Sequence, residues 1–459
     1  MANGAAFFDL DRTLLSGASG PVISEALRQM GVLGNRSIPG ENLVYRVFDA
    51  VGETLPAMAL TRSAARFAAG WSRDAVREAG EVVAERLTGR VQPFGHLLMD
   101  EHRAAGRPVV MATTSPFDLV EPLAKALGMD DVIATRYGVH EGAYDGTIAG
   151  EFVWGPGKLA AVRAWAERHG IDLAASYAYS DSIFDAPLLG AVGNPMAINP
   201  DPRLRVMALV RRWPQRYLDV PSGVPKVAGW EPQRFLQGIL RPEFLRFVRW
   251  DLDGLESLPR TGGAIIVANH RSYFDPIALG YLAGRVDRAV RFLAKKEVLD
   301  APVVGQFARA MGTIRVDRGT GSNAPLELAA EALEAGELVV ILPQGTIPRG
   351  AEFFEPDLHG RPGAARLAAM TKLPVVPVGI WGTEKVWPRA ARVPDLTNIT
   401  DPPTVRVRVG DPVDLKYRSE RADTERIMRA IEGLLPAASR KRETPTAAEI
   451  AEATPSGRS

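Results

Sequence analysis

Short apolar runs alternate with longer amphipathic stretches along most of the chain. In the first half, apolar runs at Ala5–Phe8, Pro108–Ala112 and Tyr177–Tyr179 predict strands. Between the last two runs, Lys158–His169 has a helical pattern. Because strands that alternate with helices form parallel sheets, residues 1–200 are predicted to form an α/β domain.

A helical insertion interrupts this alternation after the first strand. From about Pro21 to Thr88 the chain is rich in alanine and arginine, and its helical patterns are broken at glycines and a proline. The insertion is therefore predicted over about residues 15–95.

A second alternation of strands and helices predicts another open α/β sheet, in a domain over residues 251–436. Its strands are predicted at Ala264–Ala268, Val290–Leu293, Thr313–Val316, Leu338–Leu342, Val375–Ile380 and Val405–Val409.

The segment between the two domains, residues 201–250, is basic, aromatic and rich in proline. Residues 203–249 hold ten Lys/Arg and three Asp/Glu, interleaved with aromatic side chains. An anionic lipid surface attracts such a segment, at roughly 1 kcal/mol per cation near the headgroups. Equally, it would serve as a linker whose aromatics dock on the two domains. After the second domain, residues 437–459 have the composition of a disordered tail.

Composition excludes several classes of protein. The 459 residues are 46% hydrophobic and 24% charged, as in soluble globular domains, and the net charge of +1 gives no electrostatic basis for binding nucleic acid. Without cysteine, thiolate metal sites and a cysteine nucleophile are excluded. The first residues lack a secretory signal, and the longest charge-free segment, Ala186–Pro200, is too short and too broken to span a bilayer. We therefore expect a cytoplasmic protein with peripheral contact to the inner face of the cell membrane.

Carboxylates, hydroxyls and a lysine follow the predicted strands of the first domain. Asp9 and Asp11 come directly after the first strand, at the end where open α/β sheets bind ligands. One carboxylate can attack phosphorus while the other handles the leaving-group proton. Hydroxyls and lysine suit phosphate oxygens, and carboxylates suit Mg²⁺. Singly, these residues are typical of solvated turns, helix surfaces and helix caps. The further groups in this order are Thr113, Lys158, Asp181 and Asp185.

This order of DxDxT, hydroxyl, lysine and DxxxD resembles the haloacid dehalogenase superfamily, near its phosphoserine phosphatase branch, over roughly residues 5–200. The helical insertion resembles that family's cap. The sequence departs from the family at two positions where glycine is common: Arg12 within the first motif, and Ser180 directly before the acidic motif. The implied roles are nucleophile for Asp9, general acid/base for Asp11, phosphate binding for Thr113 and Lys158, and Mg²⁺ binding for Asp9, Asp11 through its main chain, Asp181 and Asp185.

In the second domain, a histidine and an aspartate follow the apolar run Ala264–Ala268. His270 precedes Asp275 by five positions. A neutral imidazole is a base near neutral pH, and a carboxylate can orient it, so the pair predicts deprotonation of an alcohol. Asp275 and Pro276 also fit the N-cap and first position of a helix, and the two interpretations are compatible.

Further motifs follow in the order GxIxxxR, PxGT and VPV. With NHxxxxD they resemble the glycerolipid acyltransferases of lysophosphatidic acid, the PlsC type, over about residues 245–415. The resemblance implies that His270, oriented by Asp275, takes the proton of an acceptor hydroxyl that attacks an acyl thioester, either acyl-CoA or an acyl carrier protein. The residues implied to bind the acceptor are Arg318, Gln344, Gly345, Thr346 and Arg349.

The arrangement of the two domains resembles that of bifunctional actinobacterial proteins, and the resemblance implies an enzyme with two active sites. It would act as a 1-acylglycerol-3-phosphate O-acyltransferase that makes phosphatidate, with a second, Mg²⁺-dependent phosphomonoester hydrolase site that could convert phosphatidate to diacylglycerol. Gln344 replaces the family's glutamate, so the acceptor could differ from lysophosphatidate. One alternative is a phosphatase whose acyltransferase half binds lipid with weak activity, and another is a membrane scaffold. The predicted partners are a lysophospholipid, an acyl thioester and an anionic membrane surface.

Overall fold

The chain folds into two compact units, Met1–Val220 and Pro221–Ser459. The computed structural model describes residues 3–33, 54–221, 224, 226, 231–233, 245–300, 304–316, 324–391, 393–440 and 444–455. Each unit has its own sheet and its own hydrophobic core.

The strands of the first unit are β1 (Ala6–Phe8), β2 (Val109–Pro116), β3 (Asp131–Thr135), β4 (Tyr137–His140), β5 (Ala143–Ile148), β6 (Tyr177–Ser180), β7 (Asn194–Ile198) and β8 (Gln215–Arg216). Among the described residues, six of them form a parallel sheet in the order β3-β2-β1-β6-β7-β8, while β4 and β5 form an antiparallel hairpin. The predicted parallel sheet is confirmed. β1 is the buried strand between β2 and β6. The chain adds β2 and β3 on one side of β1 and β6 to β8 on the other, and open α/β sheets bind ligands at such a reversal of strand order.

Helices pack against this sheet, and four of them begin within the predicted insertion of about residues 15–95, of which residues 34–53 lie outside the described residues. Phe7 of β1 packs edge-on against Trp165, with ring centroids 5.6 Å apart. Gly170 ends the helix of Trp165 in a left-handed conformation, φ 62°. The helices of this unit are α1 (Gly20–Gln29), α2 (Leu55–Phe67), α3 (Arg73–Thr88), α4 (Pro93–Ala104), α5 (Phe117–Ala126), α6 (Pro156–His169), α7 (Ala186–Leu189) and α8 (Pro202–Arg211).

Part of the predicted linker belongs to the first unit instead. Asp201 caps α8 by accepting hydrogen bonds from the N–H groups of Arg203 and Leu204, and Leu204 and Ala208 are buried. β8 adds an edge strand beside β7. The first prolines of the segment therefore mark a helix start and a strand edge, while its aromatics Trp230, Phe235 and Phe244 lie outside the described residues.

The strands of the second unit are β9 (Arg249–Asp253), β10 (Ala264–Ala268), β11 (Val290–Lys295), β12 (Ile314–Val316), β13 (Leu338–Ile341), β14 (Val375–Trp381) and β15 (Thr404–Val409). They form a mixed sheet in the order β12-β11-β13-β10-β14-β15-β9. The β14–β15 pair is antiparallel and the other pairs are parallel. The predicted α/β class is confirmed, and the edge strand β9 is an addition to it.

The central strand β10 is buried on both faces. Ala264, Ile266 and Ala268 pack in one core cluster, whereas Ile265 and Val267 pack in another. The first cluster includes side chains of α9, and the second those of α12, α13 and α15. The helices are α9 (Asp275–Gly284), α10 (Lys296–Asp300), α11 (Val304–Ala310), α12 (Ala324–Glu334), α13 (Gly363–Thr371), α14 (Thr383–Val386), α15 (Glu420–Gly433) and α16 (Ala447–Glu452).

The predicted disordered tail contains the helix α16. Thr446 and Glu449 form a reciprocal capping box at its start. Beyond its end, Ala453 is buried with Ile347 and Phe353. Composition alone indicated disorder, but the cap and one small apolar contact order residues 444–455. Within the described residues, every helix is too short or too polar to cross a bilayer.

Candidate active sites

Two carboxylates and a lysine meet where β1 and β6 end. Lys158 Nζ donates to Asp9 Oδ1 at 2.8 Å and to Asp185 Oδ2 at 2.6 Å. Lys158 and Asp185 are each 1% exposed, and Asp185 Oδ2 also accepts a hydrogen bond from Ser180. A buried ammonium between two carboxylates fixes all three side chains at the carboxyl edge of the sheet.

Asp181 belongs to a different pair. Its Oδ2 lies 3.1 Å from Arg12 Nε, and its N–H donates to Thr13 Oγ1 at 3.0 Å. Arg12 adopts a left-handed backbone conformation, φ 57°, which costs a non-glycine residue energy. The arginine that departs from the usual glycine is therefore the counter-ion of a predicted metal ligand. Thr13, the threonine of the DxDxT motif, was given no role of its own from the sequence, and it holds that ligand's loop.

Asp11 is half-buried, and each of its carboxylate oxygens lies near a serine. Its Oδ1 accepts a hydrogen bond from the N–H of Ser19, and its Oδ2 lies 3.4 Å from Ser115 Oγ. Burial raises the pKa of Asp11, while the hydrogen bonds from Ser19 and Ser115 and the charge of Lys158 lower it in part. A raised pKa favours the protonated form that a general acid requires.

The predicted phosphate and metal ligands are only partly gathered. Thr113 is buried within β2, three residues before its end, and its Oγ1 accepts a hydrogen bond from Ser115 N–H at 3.3 Å. Among the described residues, no three acidic or histidine side chains lie close enough to share a metal ion. Instead, Lys158 forms ion pairs with Asp9 and Asp185, and Arg12 forms one with Asp181. Asp185 Oδ1, however, is buried without a hydrogen-bond partner, so the donor set has a carboxylate oxygen of the kind that Mg²⁺ takes.

In the second unit, the predicted histidine and aspartate are in contact. His270 Nδ1 lies 2.8 Å from Asp275 Oδ2, and Asp275 is fully buried whereas the His270 side chain is 18% exposed. A carboxylate only accepts hydrogen bonds, so in the neutral ring Nδ1 carries the proton and Nε2 has a free lone pair. The pair therefore presents a base at an accessible position.

Asp275 is held by three further donors. Its Oδ2 also accepts hydrogen bonds from the N–H groups of Arg271 and Ser272, at 2.7 and 2.9 Å. Its Oδ1 accepts one from Thr383 Oγ1 at 2.6 Å. Asp275 is the first residue of α9, and Phe274 rather than Asp275 is the N-cap. The carboxylate thus turns back to the histidine loop instead of capping the helix, which corrects the capping interpretation. Thr383, 108 positions after Asp275, carried no sequence signal.

Gln344 and Asn269 position the loop that carries His270. The His270 N–H donates to Gln344 Oε1 at 2.7 Å. The Asn269 amide bonds both the N–H and the carbonyl of Ile380, tying β10 to β14. Gly345 follows in a turn at φ 69°, which favours glycine.

Of the other predicted acceptor ligands, Thr346 lies beside Gly345, and Arg349 is exposed a few residues on. Arg318 lies outside the described residues. The Arg271 guanidinium lies 4.2 Å from the Phe353 ring centre and 4.1 Å from that of Trp381, and its Nε lies 3.3 Å from Glu384. Its Nε is buried and makes no hydrogen bond within the described residues, so two aromatic rings and one carboxylate hold the side chain.

Comparison with known proteins identifies both units. The family of haloacid dehalogenase-like hydrolases matches residues 6–190, and the acyltransferase family matches residues 249–381. A Streptomyces azureus protein described as an inhibition of morphological differentiation protein is 39% identical over 218 residues, which are 46% of this chain and 76% of that protein. The chain belongs to the haloacid dehalogenase-like hydrolases. This hydrolase also carries an acyltransferase domain, so the predicted fusion is confirmed.

Two other proteins are similar to parts of this hydrolase. A probable phosphatase of Mycobacterium tuberculosis is 37% identical over 218 residues, covering 46% of this chain and 75% of that protein. The crystal structure of the 1-acyl-sn-glycerophosphate acyltransferase PlsC from Thermotoga maritima is 25% identical, covers 44% of this chain and 78% of that chain, and has a TM-score of 0.32.

Proposed function

We propose that the second unit transfers an acyl group from an acyl thioester to the hydroxyl of a lysophosphatidate-like lysophospholipid, giving phosphatidate. The observation that carries this proposal is the contact between His270 and the buried Asp275, with Nδ1 and Oδ2 at 2.8 Å. The match to the acyltransferase family over residues 249–381 supports the reaction class.

The reaction would begin when His270 Nε2 takes the proton of the acceptor hydroxyl. The oxygen attacks the thioester carbonyl, the tetrahedral intermediate collapses, and the C–S bond breaks. The leaving thiolate takes the proton from the imidazolium, which restores neutral His270. Asp275 holds the ring and stabilises its charged form throughout, and Gln344 and Thr383 act as positioning residues for the pair.

Acyl transfer from a labelled long-chain thioester to lysophosphatidate tests this assignment. His270→Ala is expected to reduce the rate by at least about 100-fold, since general-base catalysis contributes on the order of 10²–10⁴. His359→Ala, at an exposed histidine of the same unit, is the matched control and should retain the wild-type rate. Equal rates in the two variants would eliminate His270 as the base. No transfer by the wild-type chain, with phosphatase activity intact, would favour the alternative of a phosphatase with a lipid-binding second unit.

For the first unit we propose hydrolysis of a phosphomonoester. A carboxylate oxygen of Asp9 would attack phosphorus as Asp11 donates its proton to the leaving oxygen, and water would then hydrolyse the aspartyl phosphate. The contact between Lys158 and Asp9 fixes the nucleophile, and the raised pKa of Asp11 suits the acid.

Mg²⁺, which phosphatases of this family generally use, would be held by Asp9, the main-chain carbonyl of Asp11 and Asp181, with Asp185 in support. The ion would neutralise phosphate charge. Phosphate release from lipid and small phosphomonoesters, with and without Mg²⁺, is the test. Asp9→Asn should abolish it, whereas Asp74→Asn, at an exposed aspartate of α3, should not. Mg²⁺-independent release would contradict the cofactor.

Peripheral membrane contact is also part of the proposal, and α8 supports it. Its outer face exposes Val206, Leu209 and Val210 by 61, 68 and 77%, next to the exposed cations Arg211 and Arg212. Apolar side chains flanked by arginines suit an anionic bilayer surface, where both the lipid tails and the headgroup charge contribute.

Sedimentation with vesicles separates these contributions. The wild-type chain is expected to sediment with vesicles that contain phosphatidylglycerol and less with pure phosphatidylcholine. The double variants Val206→Ser/Val210→Ser and Arg211→Glu/Arg212→Glu should both lose binding. Val139→Ser, at another exposed valine of the first unit, is the control. Undiminished sedimentation of both double variants would exclude α8 as the contact.

A further inference from the structure

Arg389 is a buried cation with unused hydrogen-bond donors. Its side chain lies in the loop that follows α14 and the residue is 7% exposed, yet Nε and Nη1 have no hydrogen-bond partner among the described residues. Buried polar groups in folded proteins are nearly always paired, so an unpaired buried guanidinium requires a specific explanation such as a ligand. A guanidinium presents a planar fork of donors that matches a phosphate or a carboxylate.

The Arg389 loop lies against the loop that carries His270. The Ser272 hydroxyl donates to the carbonyl of Trp387 at 2.7 Å, and the ring centroids of Tyr273 and Trp387 are 5.7 Å apart. The Arg389 guanidinium lies 5.8 Å from the Tyr273 ring centre. Ser272 and Tyr273 follow His270 by two and three positions, so Arg389 is a neighbour of the proposed reaction site.

A second cation, Arg349, lies in a neighbouring loop, because Gly350 and Ala390, the residues that follow Arg349 and Arg389, donate backbone hydrogen bonds to the adjacent carbonyls of Ala453 and Glu452. Burial lowers the pKa of Arg389; Tyr273 raises it, and the positive charge of Arg349 lowers it further. Arg349 is exposed and makes no ion pair within the described part of the chain. Among the described residues, no carboxylate forms an ion pair with Arg389 or Arg349, while Asp275 pairs with His270 and Glu384 with Arg271. An anion that both arginines can contact would stabilise these two like charges.

We propose that Arg389 and Arg349 form an anion subsite beside His270 that binds a phosphate group of a substrate. Only the identity of the bound phosphate rests on the proposed acyl transfer. That phosphate is either the phosphomonoester of a lysophospholipid acceptor or a phosphate of the thioester donor. Arg389 supplies the buried, oriented donors, and Arg349 supplies charge at the open side.

Kinetics with matched substrates identify the source of the phosphate. The variants are Arg389→Gln, Arg389→Lys and the exposed Arg349→Gln, with Arg366→Gln, at a surface arginine that pairs with Glu420, as control. If the acceptor is bound, Arg389→Gln raises the KM for lysophosphatidate on the order of tenfold with little change in kcat, and leaves transfer to monoacylglycerol unchanged. If the subsite binds a phosphate of the donor, Arg389→Gln raises the KM for acyl-CoA but not for an acyl N-acetylcysteamine thioester, which has no phosphate. Arg349→Gln, which is not buried, should shift the same KM, and Arg389→Lys should restore part of it.

Calorimetric titration with inorganic phosphate tests the subsite without any reaction. The full chain without Mg²⁺ is expected to lose one equivalent of phosphate binding in Arg389→Gln and to keep it in His270→Ala and Arg366→Gln. If that equivalent is lost while no acyl transfer is found with any acceptor, the proposed function fails and the subsite stands. Wild-type phosphate binding together with unchanged KM values in both Arg389→Gln and Arg349→Gln would overturn the subsite.

Discussion

At the scale of single residues, both sites use charges that are neutralised before any ligand arrives. Asp275 accepts four hydrogen bonds and Lys158 bridges two carboxylates, so these groups are fixed in advance. Preorganised charges lower the cost of reaching a transition state because little has to move. The supporting donors are therefore as informative as the reactive groups themselves.

Thr383 is the donor whose removal isolates this effect. In Thr383→Val, Oδ1 of the buried Asp275 loses its 2.6 Å hydrogen bond while the side-chain volume is kept. We expect the free energy of unfolding to fall by about 1–3 kcal/mol, the usual cost of an unpaired buried acceptor, and acyl transfer to slow. Thr383→Ser, which keeps the hydroxyl, should restore both. Urea denaturation and transfer assays measure the two effects, and a valine variant equal to wild type in both would show that the bond does not matter.

Arg12 offers a comparable test in the first unit. Glycine at this position relieves a left-handed backbone and removes the cation from Asp181. Arg12→Gly is therefore expected to bind Mg²⁺ more tightly, by roughly tenfold if one charge-assisted pair has to be broken in the wild type. Titration calorimetry with Mg²⁺ measures the change, and Arg12→Lys, which keeps the charge, is the control. Equal affinity in the glycine and lysine variants would show that Arg12 does not compete with the ion.

At the scale of elements, the strands that sequence predicts are those with uninterrupted apolar runs. β10, Ala-Ile-Ile-Val-Ala, is buried throughout, and β14, Val-Val-Pro-Val-Gly-Ile-Trp, is buried up to its last residue, so both have the apolar sequence of central strands. β9, Arg-Trp-Asp-Leu-Asp, alternates charged and apolar residues at a sheet edge, and β8 has only two residues, so neither carried that signal. Among site residues, His270 and Asp275 share one motif, whereas Thr383 and Arg389 reach the site only because β14 lies beside β10.

The helix α16 is the element most easily tested. Backbone hydrogen bonds join it to two loops of the acyltransferase site, from Gly350 N–H to the Ala453 carbonyl and from Ala390 N–H to the Glu452 carbonyl. Thr446→Ala removes its N-cap, worth about 1 kcal/mol. Amide hydrogen exchange should then rise roughly fivefold in α16 and at Gly350 and Ala390. Thr397→Ala, in an exposed turn, is the control. Faster exchange confined to α16 would separate the helix from the site.

At the scale of the whole molecule, the two reactions share one lipid phosphate if the proposals for both units hold. The chain should then turn lysophosphatidate, an acyl thioester and Mg²⁺ into diacylglycerol and phosphate, because phosphatidate made by the second unit is a phosphomonoester that the first unit can accept. Lipid mass spectrometry follows each product. Asp9→Asn is expected to accumulate phosphatidate, and His270→Ala to release phosphate without forming any diacyl lipid. Wild-type chain that stops at phosphatidate, yet still hydrolyses another phosphomonoester, would show that the two sites serve separate substrates.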